Sequence, residues 1–197
     1  MLGFAPSSWR RLVETGPVLA MIGNEMQITT RRLTLIPSDL PLARAEIADR
    51  PHFAELLGAH VSENWPPESA ADALPWFLAQ LEADPANFGW LAWYVLLNDP
   101  PSAGRVLIAG IGFKGQPLPD GTVEVGYSVL PQFQRNGYAG EMMGAILDWA
   151  FGHPQVTRIV ADTMPTNEPS VRMLVRHGFR PFGPGTEDGS ILFEKRR

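Results

Sequence analysis

Apolar and polar residues change rhythm several times along this chain, and each change marks a boundary between elements. The stretch QITTRRLTLIP, 27–37, is rich in Thr, Leu and Ile and closes on a proline, which predicts a first strand. From Asp39 as N-cap, DLPLARAEIADRPHFAELLGAHV carries apolar residues at helical spacing, and Pro51 divides it into two short helices. After Pro66-Pro67, Ser69 is a candidate cap for a helix whose apolar face runs through Leu74, Phe77, Leu78 and Leu81. Trp65, Trp76 and Phe77 read as core, with a pocket lining as the alternative. Three β-type runs follow, GWLAWYVLL, RVLIAGIGFKG and TVEVGYSVL, separated by NDPPSAG and PLPDG. Linkers of that kind close hairpins, so the three strands are expected to form an antiparallel meander.

Next comes VLPQFQRNGYAGEMMGAILDWAF, in which Asn136-Gly137 would ordinarily mark a hairpin turn. Beyond Gly137, however, Met142, Met143, Ile146, Leu147 and Ala150 recur at steps of three and four, and the run stops at GHP. A strand would alternate with period two, so the turn opens a helix. The end repeats the scheme: RIVADTM as a strand, EPSVRMLVRHG as a helix with Pro169 in its first turn, then FRPFG and SILFEKRR as a hairpin. Strand, helices, meander, helix, strand, helix and hairpin together predict an α/β (α+β) fold with helices on the faces of one mixed sheet.

Composition narrows the function. The 197 residues suit one domain, taken as 27–197, with 1–26 an extension of unknown role in which Met21 or Met26 is a candidate start. Hydrophobic residues make up 45% and charged residues 19%, the balance of a globular chain. A net charge of −5 gives no basic field to gather phosphates along a nucleic acid, so no nucleic-acid partner is expected. Cysteine is absent, which excludes disulfides, thiolate metal sites and a cysteine nucleophile, and is compatible with the cytoplasm. His52, His60, His153 and His177 show no ligand spacing, so no metal is expected. The apolar run PVLAMIG is far below the ~18 residues that span a bilayer, so no membrane association is expected.

A strand ending at Leu130-Pro131 and reaching a helix through QFQRNGYAG presents unpaired amides at the helix start. Gly137 can take a positive φ, and the small Ala139 and Gly140 let a ligand approach the backbone. Such a turn suits an anion, especially a pyrophosphate. Neither common nucleotide loop fits, but Gln134-Arg135-Asn136-Gly137-Tyr138-Ala139 matches Gln/Arg-x-x-Gly-x-Gly/Ala.

With VEVGYSVLPQFQRNGYAGEMMGAILDWAF followed by RIVADTMPTNEPSVRMLVRHGFRPFG, the chain resembles the GNAT superfamily of acetyl-CoA-dependent N-acetyltransferases. Among its branches it looks most like that of the ribosomal-protein N-terminal acetyltransferases. The resemblance implies a mostly antiparallel sheet that splays between the strands 122–130 and 158–164. It implies that acetyl-CoA is the cosubstrate, its pyrophosphate held by the amides of Gln134, Arg135, Asn136, Gly137, Tyr138, Ala139 and Gly140. The pantetheine arm would pair with Val129 and Leu130 and meet Asn167. Glu124 is the candidate base and Ser170 the candidate acid toward sulfur, with a carboxylate on a solvated strand face and a helix cap as their structural alternatives. Many relatives place a tyrosine acid where this chain has Leu174, which moves weight to Ser170 or water. The oxyanion would meet an amide near Val129. Arg135, Arg172 and Arg176 are candidates for coenzyme phosphates or plain surface charges, and His177, before Gly178, reads as structural, at a helix end that favours a cation.

The expected activity is transfer of an acetyl group to a primary amine, either a protein N-terminal α-amine or a small-molecule amine. The alternatives are a non-catalytic acyl-CoA-binding or regulatory domain, and a nucleotide-binding α/β domain. A homodimer stays open. Glu55, Glu63, Glu68 and Asp72 form a mildly acidic set near the expected acceptor pocket, as an exposed helix face also would.

Overall fold

Strands and helices follow one another along the chain much as their apolar rhythms predict. The computed structural model describes residues 18–22, 25–98 and 104–197. Strands β1 (Val18–Ile22), β2 (Glu25–Thr29) and β3 (Leu33–Pro37) come first. Helices α1 (Leu40–Ala48), α2 (Arg50–Leu57), α3 (Glu68–Ala71) and α4 (Leu74–Ala83) follow. Strands β4 (Ala92–Leu97), β5 (Val106–Phe113) and β6 (Thr122–Val129) form the expected antiparallel meander. Then come α5 (Tyr138–Phe151), β7 (Arg158–Thr163), α6 (Glu168–Arg176) and the hairpin β8 (Arg180–Pro184) with β9 (Ile191–Arg196). Among the described residues the nine strands make one mixed sheet, β1-β2-β3-β4-β5-β6-β7-β9-β8, antiparallel except for the parallel pair β6–β7.

Two expectations change. The stretch 27–37 is not one strand, because Thr30 turns the chain: its N–H donates to Leu33 O at 2.9 Å and its Oγ1 accepts from Leu33 N at 3.0 Å. The two halves pair back on each other as β2 and β3. Ser69 is not a cap; Pro67 holds the N-cap position of α3 and Ser69 lies inside the helix. The region 1–26 contributes β1 and the start of β2, while its first 17 residues, and most of the NDPPSAG linker, lie outside the described residues.

Sheet alternation sorts the two faces. On one, Val95, Ile111, Val123, Val125 and Ile159 meet Met142, Met143, Ile146 and Leu147 of α5, the apolar face that the three-four spacing marks out. Each such buried side chain contributes about 1.5–3 kcal/mol. On the other, Tyr94, Leu96 and Leu107 meet Leu42 of α1 and Phe53 and Leu57 of α2.

The parallel contact of β6 with β7 covers only Thr122↔Arg158, Val123↔Ile159 and Glu124↔Val160. Beyond Glu124 the strands part, while β6 stays paired with β5 as far as Ala109↔Val129. The sheet is therefore splayed at β6–β7, and α5 and α6 pack together in the same core on one face of it.

Candidate active site

Pairing parity decides which groups face the opening. Lys114 N donates to Glu124 O and Leu130 N to Ile108 O, so the even-numbered residues of β6 spend their main-chain groups on β5. In an antiparallel ladder the alternate residues point the other way. The N–H and C=O groups of Tyr127 and Val129 are thus directed into the gap. Leu130, expected to share that role with Val129, does not: its N–H is committed to Ile108 and its side chain is fully buried. Val129 O accepts from Gln134 Nε2 at 3.0 Å, which folds the following loop back over the strand end.

That loop descends through a short 3₁₀ turn, Pro131–Phe133, to α5. Gly137 is the N-cap of α5 at φ 79°, and Arg135 also adopts a positive φ of 62°. The first helical bond runs from Glu141 N to Gly137 O at 3.2 Å, which leaves the amides of Tyr138, Ala139 and Gly140 without intrahelical partners. Asn136 Nδ2 donates to Phe133 O and Gln134 O at 3.3 and 2.9 Å, so its side chain braces the turn from within. Arg135 is exposed at the turn, whereas Arg172 pairs with Glu168 at 2.7 Å.

A latch with no local sequence signal anchors the loop to the β2–β3 turn. Glu141, in the first turn of α5, accepts from Thr30 Oγ1 (2.6 Å), Arg32 N (2.8 Å) and Arg32 Nε (2.7 Å). Arg32 Nη1 donates to Asn136 O at 3.0 Å, and the guanidinium lies 4.5 Å from the centre of the Tyr138 ring. Burial pushes the Glu141 carboxyl up, but the hydrogen bonds and charge from Thr30 and Arg32 outweigh it and hold the group below its ordinary value.

Across the gap, Asn167 is the N-cap of α6 and its side chain accepts from Ser170 N at 3.4 Å. Asn167 therefore does the capping, and the Ser170 hydroxyl is released from that duty. It lies buried beside the Tyr127 hydroxyl of β6. Burial pushes the Tyr127 phenol up, and the hydrogen bond with Ser170 pulls it partly back. Asp162 of β7 binds Thr186 N and Oγ1, both at 2.7 Å, and so ties the β8–β9 loop to the same end of the gap.

On the α1–α4 side of the sheet lies a cavity of about 340 Å³. Its floor is nearly bare backbone, because Gly110, Gly112 and Gly126 occupy successive inward positions of β5 and β6. Trp65, Leu74 and Phe77 form apolar walls, which makes Trp65 and Phe77 pocket as well as core. Glu46 of α1 closes one end, accepting from Trp65 Nε1 at 2.7 Å and Tyr94 Oη at 2.6 Å. Burial raises its carboxyl above the ordinary value against those two bonds, and burial together with Glu46 raises the Tyr94 phenol well above its own. Lys114 stands at the other end and pairs with Glu124. Glu124, two residues before Gly126 on the same strand face, is thus at the rim of this cavity and not within it.

The resemblance implies a strand bared on one edge and an amide-rich helix start at its end; the cavity floored by glycines comes from the fold. A domain model described as acetyltransferase (GNAT) matches residues 32–180. The chain belongs to the GNAT acetyltransferase family. Its curated relatives include the uncharacterised N-acetyltransferase YjdG of Bacillus subtilis (strain 168), 28% identical over 152 residues, which are 77% of this chain and 88% of that protein. The GNAT fold is shared with the ribosomal-protein-S5-alanine acetyltransferase of Vibrio fischeri, at TM-score 0.56 and 20% identity over 86% of this chain and 96% of that one. It is shared too with Mycobacterium smegmatis RimJ in complex with CoA-disulfide, at TM-score 0.55 and 20% identity over 83% and 81%.

Four residues of this candidate site escape sequence reasoning: Arg32, Glu46, Tyr94 and Tyr127. Tyr127 is within its reach, since it stands next to Gly126 and faces α6 by alternation. The partners of Arg32 and Glu46 lie 109 and 48 residues away, and no local pattern connects them. His177 carries a different lesson. Burial and Lys195 push its imidazole down against the pull of Asp148, while Lys195 Nζ donates to His177 O at 2.7 Å. The cation expected at that helix end is Lys195.

Proposed function

We propose that this protein transfers the acetyl group of acetyl-CoA to a primary amine seated in the cavity above Gly110, Gly112 and Gly126. The carrying observation is the meeting of two sites at 126–128 of β6. One edge of the strand offers bare main-chain groups that continue to the amides of Tyr138, Ala139 and Gly140, and one face floors the cavity.

The loop suits a pyrophosphate because its amides are unspent and Gly137 presents no Cβ to it. Val129 N–H and the main-chain groups of Tyr127 would meet the pantetheine amides, and the Asn167 side-chain NH₂, left over from its capping bond, would meet the same arm. When bound, acetyl-CoA supplies an acetyl thioester. RimJ of Mycobacterium smegmatis, which shares this fold, was solved with CoA-disulfide, which supports this choice of donor.

Glu124 accepts the proton from the attacking amine, directly or through one water, and must exchange its contact with Lys114 to do so. Ser170, aligned by Tyr127, returns a proton to the leaving sulfur. The products are an amide and a free thiol. An α-amine with a pKa near 8 costs only about 1 kcal/mol to deprotonate at neutral pH, whereas a lysine-like amine near 10.4 costs roughly 4–5 kcal/mol. A single carboxylate at the rim suits the former more readily.

The test is release of free CoA thiol from acetyl-CoA with a panel of peptides, polyamines and aminoglycosides. Glu124→Gln is expected to lower kcat by about 10²-fold or more, the usual worth of a positioned base. Tight acetyl-CoA binding with no release for any acceptor would instead make this a non-catalytic acyl-CoA-binding domain.

A further inference from the structure

Glu46 is a carboxylate in an unusual setting. It is partly buried, at the end of a mostly apolar cavity, and both of its hydrogen bonds come from neutral donors, the Trp65 indole and the Tyr94 phenol. Because the Tyr94 hydroxyl donates to Glu46, the Ser38 hydroxyl must donate to Tyr94 at 3.1 Å, so the chain Ser38–Tyr94–Glu46 is fixed in one direction. Among the described residues no lysine, arginine or histidine forms an ion pair with Glu46. A carboxylate accepts about four hydrogen bonds, and two are made here, so it keeps capacity on the side that faces the cavity. A desolvated, unpaired carboxylate is costly to keep unless something cationic completes it.

The sheet register places Tyr94, the partner of Glu46, relative to the β6 edge. Tyr94 pairs with Gly110, and Gly110 with Ser128, so the three form one row across the strands. Two strand spacings separate Tyr94 from Ser128, about 10 Å. Gly110, the middle of that row, has no side chain to block the path, and its missing Cβ would stand 3.5 Å from Trp65. Glu46, bonded to the Tyr94 hydroxyl, thus belongs to the Tyr94 end of this row, across the cavity floor from the β6 edge. It is well placed to bind a second group on the same acceptor.

We infer that Glu46 is a specificity-determining residue that binds a second cationic group of the acceptor, which is a small α,ω-diamine or a similar amine with an apolar middle. This rests on the cavity being the acceptor site. Trp65, Leu74 and Phe77 suit a methylene or aryl spacer and offer little to a polyhydroxylated one. The Trp65 face adds attraction for a cation near Glu46. At the other end Glu124 is already paired with Lys114, which leaves Glu46 as the carboxylate without a cationic partner and orients the ligand's charged tail toward it. A peptide acceptor with a neutral second residue lacks the tail.

The test is calorimetric binding, in the presence of CoA, of three ligand series of matched length: α,ω-diaminoalkanes, n-alkylamines and ω-aminoalkanoates. Wild-type protein is expected to prefer diamines over monoamines by about tenfold or more, the worth of one charge-assisted hydrogen bond, and to bind aminoalkanoates least. Glu46→Gln should erase that ranking, while Tyr94→Phe, which keeps the carboxylate, should preserve it. Equal binding of the three series by the wild type, or an unchanged ranking in Glu46→Gln, overturns the inference. Because binding is read without turnover, a diamine preference with no CoA release in the thiol assay would refute acetyl transfer and leave this assignment standing.

Discussion

Removing the Glu141 carboxylate should loosen the coenzyme loop and lower global stability together. Glu141→Ala deletes an acceptor of three hydrogen bonds, from Thr30 Oγ1, Arg32 N and Arg32 Nε, at a side chain only 16% exposed. Hydrogen bonds to charged groups contribute about 1.5–3 kcal/mol each, but bonds sharing one carboxylate do not add. Arg32 is 31% exposed, which screens its share further. A loss of about 2–4 kcal/mol follows, and at roughly 2–4 °C per kcal/mol for a chain of this size the melting temperature should fall by about 5–15 °C. Glu141→Gln keeps an oxygen for Thr30 and Arg32 N and gives up the charge pair, so about half that loss is expected. The acid limb supplies a second readout. The folded pKa of Glu141 is lowered, so its stabilisation is complete above the free carboxyl's value and is lost as pH falls through the folded one. Wild type and Glu141→Gln should converge once the pH has fallen below that folded value. Melts by circular dichroism across pH, with CoA affinity by calorimetry at neutral pH, measure both effects. A Glu141→Ala melt within about 1 °C of wild type, or a gap that persists unchanged in acid, would refute the latch.

Three further outcomes are expected. Ser170→Ala should lower kcat and cost no more stability than Tyr127→Phe, which removes the same buried hydrogen bond, whereas Asn167→Ala should cost about 1 kcal/mol as a lost helix cap; a Ser170→Ala loss well beyond that of Tyr127→Phe would show that Ser170 is the cap after all. Gly137→Ala places a Cβ at φ 79° with 3.5 Å of clearance from Arg32, so its cost is backbone strain, about 1 kcal/mol, and a chemical-denaturation midpoint equal to wild type would contradict the left-handed turn. His177 has a lowered folded pKa, so its neutral form stabilises fully above about pH 6.5 and that stability drains as pH falls toward the folded value; His177→Gln should flatten the limb below pH ~6.5, and an unaltered limb would assign it elsewhere.

Elements with a strong apolar period are legible in the amino-acid sequence itself. The α5 face through Met142, Met143, Ile146 and Leu147, the β4–β5–β6 meander and the glycine entrance at Gly137 are all written locally, in spacing and turn chemistry. The β2–β3 turn is not, because Thr30-Arg31-Arg32 carries no glycine or proline and the Thr30 side chain makes the turn. Leu130 reads from sequence as part of the gap because strand length alone cannot say which edge an amide faces; only the pairing to Ile108 does. Glu46 is hidden for a similar reason. On α1 it looks like any solvated glutamate, and its meaning comes from Tyr94 and Trp65, which only the fold brings to it.

The bare floor of the cavity also sets how this protein can be retuned. Of the three glycines, Gly112 is locked, since an added Cβ would lie 2.0 Å from Leu91 O. At Gly110 the nearest atom to such a Cβ is Trp65 at 3.5 Å, and at Gly126 nothing lies within 4 Å. Two positions therefore accept a methyl without disturbing the sheet, one midway between Tyr94 and Ser128 and one at the gap. Alanine at the first shortens the compartment and alanine at the second narrows its entrance, so reach and girth of the acceptor are separately adjustable by single atoms that the natural chain has left out.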